Sequence, residues 1–253
     1  MTGVSRETPE PPVEAAAVFG TALPRARRFA ELLAGPAVER GLIGPREVPR
    51  LWERHLLNCA ALAPVADEVL AGSGRLSSPT LAPRVVDLGS GAGLPGVVVA
   101  LLRPTWQVVL LEPMLRRTTF LSEVVAELGL ASASVLRGRA DDPPVRRQLR
   151  ETGPVDLVVA RAVAPLDRLS GWALPLLAPG GSLLALKGEN AASELTAAAS
   201  TLHRLHSTGS RIWQLPGQAS RVVQVVAAGL AEDAGPSKRP VGAPTDSAEG
   251  KAR

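Results

Sequence analysis

Apolar positions change their spacing along the chain near residue 83. Over residues 24–71 they recur at helical intervals: Leu23, Ala26, Phe29 and Leu33, then Leu51, Trp52, His55, Leu56 and Cys59. Side chains three and four positions apart share one face of a helix, so this segment reads as amphipathic helices, with Gly44-Pro45 separating the first from the second. Gly72-Ser73-Gly74 and the Ser-Pro that follows read as a loop. Beyond Pro83, short apolar runs alternate with helical stretches. The runs 84–88, 107–111, 134–137, 155–160, 182–186, 206–213 and 221–227 predict seven strands. Helices are predicted over 94–102, 115–128, 145–150, 166–177 and 191–202. Runs apolar on both faces and separated by helices indicate an α/β fold with a mainly parallel sheet. The last two runs are joined only by a short turn at Pro216-Gly217, which makes them an antiparallel pair closing one edge.

Within this pattern, Val85-Val86-Asp87-Leu88-Gly89-Ser90-Gly91-Ala92-Gly93-Leu94-Pro95-Gly96 carries the most chemistry. An apolar strand runs into spaced glycines, and an apolar helix starts at once. Glycine is needed where the chain turns sharply and a ligand must approach the backbone. Free N–H groups at a helix start favour a polar or anionic ligand group. Glu112 closes the next strand, 23 residues after Gly89. A carboxylate there can accept hydrogen bonds from two ribose hydroxyls. Gly91-Ala-Gly93-Leu-Pro-Gly96 also matches the dinucleotide fingerprint, so a nicotinamide cofactor stays open on the loop alone. Two features favour a methyl donor. Asp87 stands two residues before the first glycine, placed to orient the loop and reach the amino-acid end of the donor. The closing hairpin also fits poorly with two mononucleotide-binding halves.

Composition adds little. The chain has 253 residues, 45% of them hydrophobic, which is ample for one substantial core and hardly enough for two. Its net charge is +4 and its pI about 10.1, compatible with a polyanionic partner without demanding one. Arg supplies nearly all the basic charge, and Arg25, Arg27, Arg28, Arg40, Arg46, Arg50 and Arg54 crowd the helical region. The abundant Ala, Gly and Pro suggest GC-rich codon usage, which weakens any argument from Arg alone. The single cysteine, Cys59, excludes an internal disulfide and a cysteine metal cluster. No secretory leader and no uninterrupted apolar run of spanning length are visible, so a cytoplasmic protein without a membrane partner is expected.

The blocks Arg54-His55-Leu-Leu-Asn58, Asp87-Leu-Gly-Ser-Gly-Ala-Gly-Leu-Pro-Gly96, Arg116-Arg-Thr-Thr-Phe-Leu121, Arg139-Ala-Asp141, Ala160-Arg161-Ala162 and Ala185-Leu-Lys-Gly188 occur in one order along the chain. In this the sequence resembles the bacterial small-subunit ribosomal RNA guanine-N7 methyltransferases, the glucose-inhibited division protein B family, over residues 40–228. The resemblance implies a class I (Rossmann-like) methyltransferase with a seven-stranded, mainly parallel sheet and S-adenosyl-L-methionine as cofactor. Composition and periodicity divide the chain into a disordered start (1–14), an N-terminal helical extension (15–75), the donor-binding domain (76–231) and a disordered tail (232–253). The glycine loop, with Asp87, Gly91 and Gly93, and the resemblance together give a donor site made by Asp87, Gly89, Gly91, Gly93, Leu94, Glu112, Ala140, Asp141 and Arg161. There Gly89 and Leu94 line the donor, Glu112 holds the ribose, and Ala140 and Asp141 lie beside the adenine. Arg161 lies near the methionine end or the incoming base. The chain departs from the family at Ile43-Gly-Pro-Arg-Glu47, where many members have Asn-Leu-Thr, and at Asp141-Asp142, where many have Glu-Glu.

Guanine N7 carries a free lone pair and loses no proton on methylation, so no general base is required and none is assigned; nor is any metal ligand. His55 reads as a partly buried, hydrogen-bonded residue, or alternatively as part of the pocket floor. His203 and His206 read as local polar groups, and Cys59 as a small buried hydrophobe. Arg116, Arg117, Arg137 and Arg139 are candidates for RNA phosphate contacts. Of Trp52, Trp106, Trp172 and Trp213, at least three read as core. The expected partner is 16S ribosomal RNA or the small ribosomal subunit, met by a monomer. Removing the first helices should then abolish RNA methylation and spare donor binding. Two other readings remain: a small-molecule methyltransferase with the N-terminal helices as a lid, and a donor-dependent binding module.

Overall fold

The computed structural model describes residues 8–73, 82–215 and 217–228. The seven apolar runs are all strands: β1 (Arg84–Leu88), β2 (Gln107–Glu112), β3 (Ala133–Arg137), β4 (Leu157–Arg161), β5 (Ser182–Lys187), β6 (Ser207–Gln214) and β7 (Arg221–Ala227). They form one sheet in the order β3-β2-β1-β4-β5-β7-β6. β1 pairs in parallel with β2 (Val86 opposite Val109) and with β4 (Val86 opposite Val158). β7 runs antiparallel between β5 and β6, which makes the expected edge hairpin. Strand order reverses at β1, where the chain crosses from β3 on one side to β4 on the other. At such a switch point the loops after neighbouring strands part and leave a crevice.

Helices cover both faces. On one lie α1 (Val13–Phe19), α2 (Leu23–Leu32), α3 (Asn58–Ala60), α4 (Leu62–Gly72), α5 (Gly96–Leu102) and α6 (Leu115–Glu127). On the other lie α7 (Pro143–Glu151), α8 (Leu166–Ala173) and α9 (Ala191–Arg204). Successive strand residues point to opposite faces, so Val85, Leu110 and Val159 enter the first core while Val86, Leu111 and Val158 enter the second. The N-terminal helices contribute Phe29, Leu33, Leu51 and Leu56, all fully buried, to the same first core as α5 and β1. The extension is therefore part of the sheet's covering layer and not an appendage hung beside it.

Differences from the sequence reading cluster in this layer. α1 opens at Val13, and the Trp52 indole donates to the Pro9 carbonyl at 2.8 Å, so residues 9–14 are tied down where disorder was expected. The expected disorder at 1–7 and 232–253 lies outside the described residues, as does the loop after Ser73. α4 continues through Gly72, one residue into the expected loop. Between Gly44 and Asn58 the chain is not a regular α-helix: Pro45–Arg50 is a 3₁₀ turn and Leu51–Leu57 is π-wound. Only Trp52 and Trp106 are core; Trp172 and Trp213 are half-buried, and the Arg211 guanidinium stacks 3.7 Å over the Trp213 ring. No described helix is long and apolar enough to cross a membrane.

Candidate active site

The glycine loop joins β1 to α5, and its backbone is fixed from beneath. Asp87 is fully buried, and its Oδ2 accepts the Gly96 N–H at 3.0 Å. Burial pushes the Asp87 carboxyl up to about 7, against the pull of that N–H. Its Oδ1 has no hydrogen-bond partner among the described residues. A Cβ on Gly96 would stand 2.5 Å from both Asp87 Oδ2 and Leu110 Cδ2, so only glycine lets the helix start lie this close to the sheet. Glu112, 1% exposed at the end of β2, grips the loop from the side. Its carboxylate accepts the N–H of Gly91 at 3.0 Å and of Met114 at 3.1 Å, with Arg117 Nη1 3.5 Å away.

Above this loop lies a cavity of about 260 Å³ at the C-terminal ends of β1, β2 and β4. Of the expected donor residues, Gly89, Glu112, Ala140 and Asp141 line it. Gly89 has φ +73, and a Cβ there would sit 3.0 Å from Val163 Cγ2, across the same space. Gly91 and Gly93 shape the loop from outside the cavity wall. The Leu94 side chain packs into the core between the sheet and the N-terminal helices and is not among the residues lining this cavity. Asp87 orients the loop as expected but is buried beneath it, away from the cavity lining. Trp172, Arg117 and Arg139 complete the rim, with Arg139 paired to Asp141 at 2.8 Å.

Arg161 stands elsewhere. It closes β4 and faces a second, larger and more open cleft of about 1080 Å³. This cleft and the 260 Å³ cavity share Ala162 and Val163. Ala162 adopts φ +54, a left-handed conformation rare outside glycine, at the wall common to both. The Arg161 guanidinium donates to His55 Nδ1, to the Arg54 carbonyl at 3.2 Å and to Cys59 Sγ at 3.6 Å. His55 Nε2 in turn meets Glu47 Oε2 at 2.8 Å. Burial first, and Arg161 second, hold the His55 imidazole below the ordinary histidine range, while Glu47 pulls the other way. Burial pushes the Cys59 thiol up to about 11, so it is no nucleophile. His203 and His206 are exposed and line neither cavity.

Several residues of this cleft had not been singled out. Glu47 falls where the chain departs from the family pattern. Lys187 lies in a quoted block without a role; its ammonium reaches the Ala164 carbonyl and Glu194 Oε2, both at 2.7 Å. Asn58 Nδ2 donates to Ser220 Oγ at 2.8 Å, tying the N-terminal layer to the turn between β6 and β7. Part of the N-terminal Arg crowd is spent on acids: Arg28 on Glu31 and Glu127, Arg40 on Glu123, Arg54 on Glu47. Among the described residues no three His, Cys, Asp or Glu side chains converge as a metal site.

The family model of rRNA small subunit methyltransferase G (GidB) matches residues 22–218. The chain belongs to this family. It is 57% identical over 187 residues to the ribosomal RNA small subunit methyltransferase G of Thermobifida fusca, covering 74% of this chain and 71% of that one. It is 54% identical over 189 residues to the protein of the same name from Mycolicibacterium gilvum, covering 75% and 76%. The fold is shared with the METTL16 methyltransferase domain, at TM-score 0.54 and 15% identity over 80% of each chain. It is shared too with the CurJ carbon methyltransferase, at TM-score 0.52 and 15% identity over 85% of this chain and 69% of that one. In this family the cofactor is S-adenosylmethionine, which settles the choice left open by the glycine loop against a dinucleotide.

Proposed function

We propose that this protein methylates N7 of one guanine in 16S ribosomal RNA, acting as a cytoplasmic monomer. The observation that carries the reading is the shared wall: a small cavity on the glycine loop and a large open cleft meet at Ala162 and Val163. A donor and a polymeric acceptor need that arrangement, because in-line transfer depends mainly on holding the two reacting atoms in register. The residues present fit the donor. Gly89 leaves open the space that a Cβ would close against Val163, Glu112 offers carboxylate oxygens at the end of β2, and Leu88, Leu111 and Ala140 give apolar walls. Gly89, Glu112, Ala140 and Asp141 would hold it, with Asp87, Gly91 and Gly93 keeping the loop in shape. S-adenosylmethionine supplies an electrophilic methyl group when bound.

The chain's own residues bind and orient. N7 gives up no proton, so no base is needed, and of the cleft carboxylates Glu47 is engaged by His55 and Glu194 by Lys187. Methylation leaves the purine cationic, and the cleft lining offers Glu53, exposed and in no ion pair among the described residues, as the carboxylate that could face it, beside Arg50, Arg54, Arg161 and Lys187. Arg50 and Arg54 line the same cleft on the side where a phosphate backbone would pass. The openness of the cleft favours RNA over a free metabolite, for which a closed lid would be expected.

The test is label transfer from S-adenosylmethionine to three acceptors: naked small-subunit RNA and assembled small subunits from cells lacking this gene, and free guanosine nucleotides. Label in either RNA form and none in the nucleotides is the expected result. Label in the nucleotides alone would establish the small-molecule reading instead.

A further inference from the structure

We infer that Glu47 and His55 are a positioning pair that holds Arg161 at the wall between donor cavity and RNA cleft, with His55 in its neutral Nε2–H tautomer. This rests on the methyltransferase reading above and adds residues and a protonation state to it. The argument begins with Arg161. It is the last residue of β4, followed by the left-handed Ala162, and its guanidinium has no carboxylate within ion-pairing distance among the described residues. Its contacts instead come from one piece of chain: the His55 ring, the Arg54 carbonyl and the Cys59 sulfur. That piece includes the π-wound Leu51–Leu57, a winding that re-aims side chains and recurs at functional sites.

The tautomer follows from donor and acceptor counting. A guanidinium only donates, so the His55 Nδ1 that faces it must carry a lone pair and no proton. The ring hydrogen is then on Nε2, where it points at Glu47 Oε2, 2.8 Å away. Glu47 fixes the ring and the ring fixes the arginine, an outer carboxylate orienting an inner histidine. The charged or titratable groups facing His55 are Glu47 from the Pro45–Arg50 turn, Arg54 beside it, Arg161 from β4, and, one turn along, the Cys59 thiol, which stays protonated. Arg161 opposes an imidazolium and Glu47 supports one. When the ring gains a proton, Nδ1 turns from acceptor to donor and the arginine loses its hold. Arg161 so held offers its remaining N–H groups to an anionic oxygen, a donor carboxylate or an RNA phosphate.

The experiment measures kcat and KM for small-subunit RNA at saturating donor, from pH 5.5 to 8.5, together with the donor dissociation constant. It compares wild type, His55→Ala, His55→Asn and Glu47→Gln, each checked for folding by urea unfolding. Wild-type kcat/KM should fall on the acid side, below about pH 6.5, because the folded-state pKa of His55 is depressed. His55→Ala should lower kcat/KM about tenfold at pH 8. Asn places an amide oxygen near the Nδ1 position and does not titrate, so His55→Asn should recover most of that loss and remove the His55 part of the acid limb. That leaves only what the buried Asp87 carboxyl, near 7 and within the field of Arg161, contributes in every variant. Glu47→Gln removes the charge that favours the imidazolium, so the limb should move to lower pH. A purely structural role predicts none of these pH changes. A rise in KM for RNA identifies the oxygen as phosphate and a rise in donor dissociation constant as carboxylate; either supports the pair. An acid limb unchanged in His55→Asn, or loss in Asn equal to that in Ala at every pH, overturns it. A wild type that binds donor but labels no RNA overturns the RNA reading itself, and is seen before any variant is compared.

Discussion

Asp87 should make this protein less stable as pH rises through neutrality, and Asp87→Asn should remove that dependence. The carboxyl is fully buried, one oxygen accepts the Gly96 N–H and the other has no partner among the described residues. Its pKa is raised from 3.8 to about 7. Between those values the folded state holds a proton that the unfolded chain has released. Stability from this group is therefore full below the unfolded pKa and lost as pH rises through the folded one. The whole displacement is worth roughly 4 kcal/mol, at 1.36 kcal/mol per unit. Between pH 5 and pH 8 the part lost is roughly 2–3 kcal/mol, a sizeable share of a typical domain's 5–15 kcal/mol. Asn keeps an acceptor for Gly96 and cannot ionise. Urea unfolding of both proteins at the two pH values gives the difference between them, in which every other titrating group cancels. That difference should move in favour of wild type by roughly 2–3 kcal/mol at pH 5 relative to pH 8. A difference that stays constant within about 0.5 kcal/mol would refute the argument that burial controls this carboxyl.

Further outcomes follow from the same contacts. Gly96→Ala would drive a methyl group to within 2.5 Å of Asp87 Oδ2 and Leu110 Cδ2; overpacking of this kind should cost about 1–3 kcal/mol, read as a lowered urea midpoint. Glu112→Gln keeps only one acceptor for the Gly91 and Met114 N–H groups and loses the charge; the donor dissociation constant, measured by calorimetry, should rise about tenfold or more. Removing residues 1–75 should leave a chain without a cooperative unfolding transition, because Phe29, Leu33, Leu51 and Leu56 would be cut from the core that they share with β1 and α5. A truncated protein that still unfolded cooperatively and bound donor would show that the helical layer is dispensable after all.

That last expectation reverses what the sequence suggested, and the reason is physical. Periodicity reports which face of a helix is apolar, not what that face packs against. It identified Phe29, Leu33, Leu51, Trp52, Leu56 and Cys59 as buried, and they are. It had no means of showing that their partners are the sheet itself. Strands were legible because a parallel sheet covered on both faces demands short runs of Val, Leu and Ala between turns, and few other structures do. The donor loop was legible because its glycines have separate geometric causes: positive φ at Gly89 and close packing at Gly96. Glu112 was legible from strand length. The side chains of Leu94 and Asp87 lie off the lining of the 260 Å³ cavity, since proximity in sequence to a cavity does not settle on which side of the loop a side chain lies. Glu47 and Ser220 left no signal of their own, and Lys187 and Asn58 showed only as members of the family blocks, without a role. Their roles arise from contacts 7 to 162 residues apart in the chain, one of them, Glu47 to His55, through a π-wound segment that breaks the 3.6-residue period.

The most direct test of the central claim is the identity of the methylated nucleoside. Small-subunit RNA from cells lacking this gene would be incubated with S-adenosylmethionine and either wild type or Gly89→Asp, digested, and its nucleosides separated by mass. Wild type should yield new 7-methylguanosine, and Gly89→Asp, whose side chain would enter the donor cavity against Val163, should yield none. A different methylated nucleoside, or no product from a wild type that binds the donor, would contradict the account.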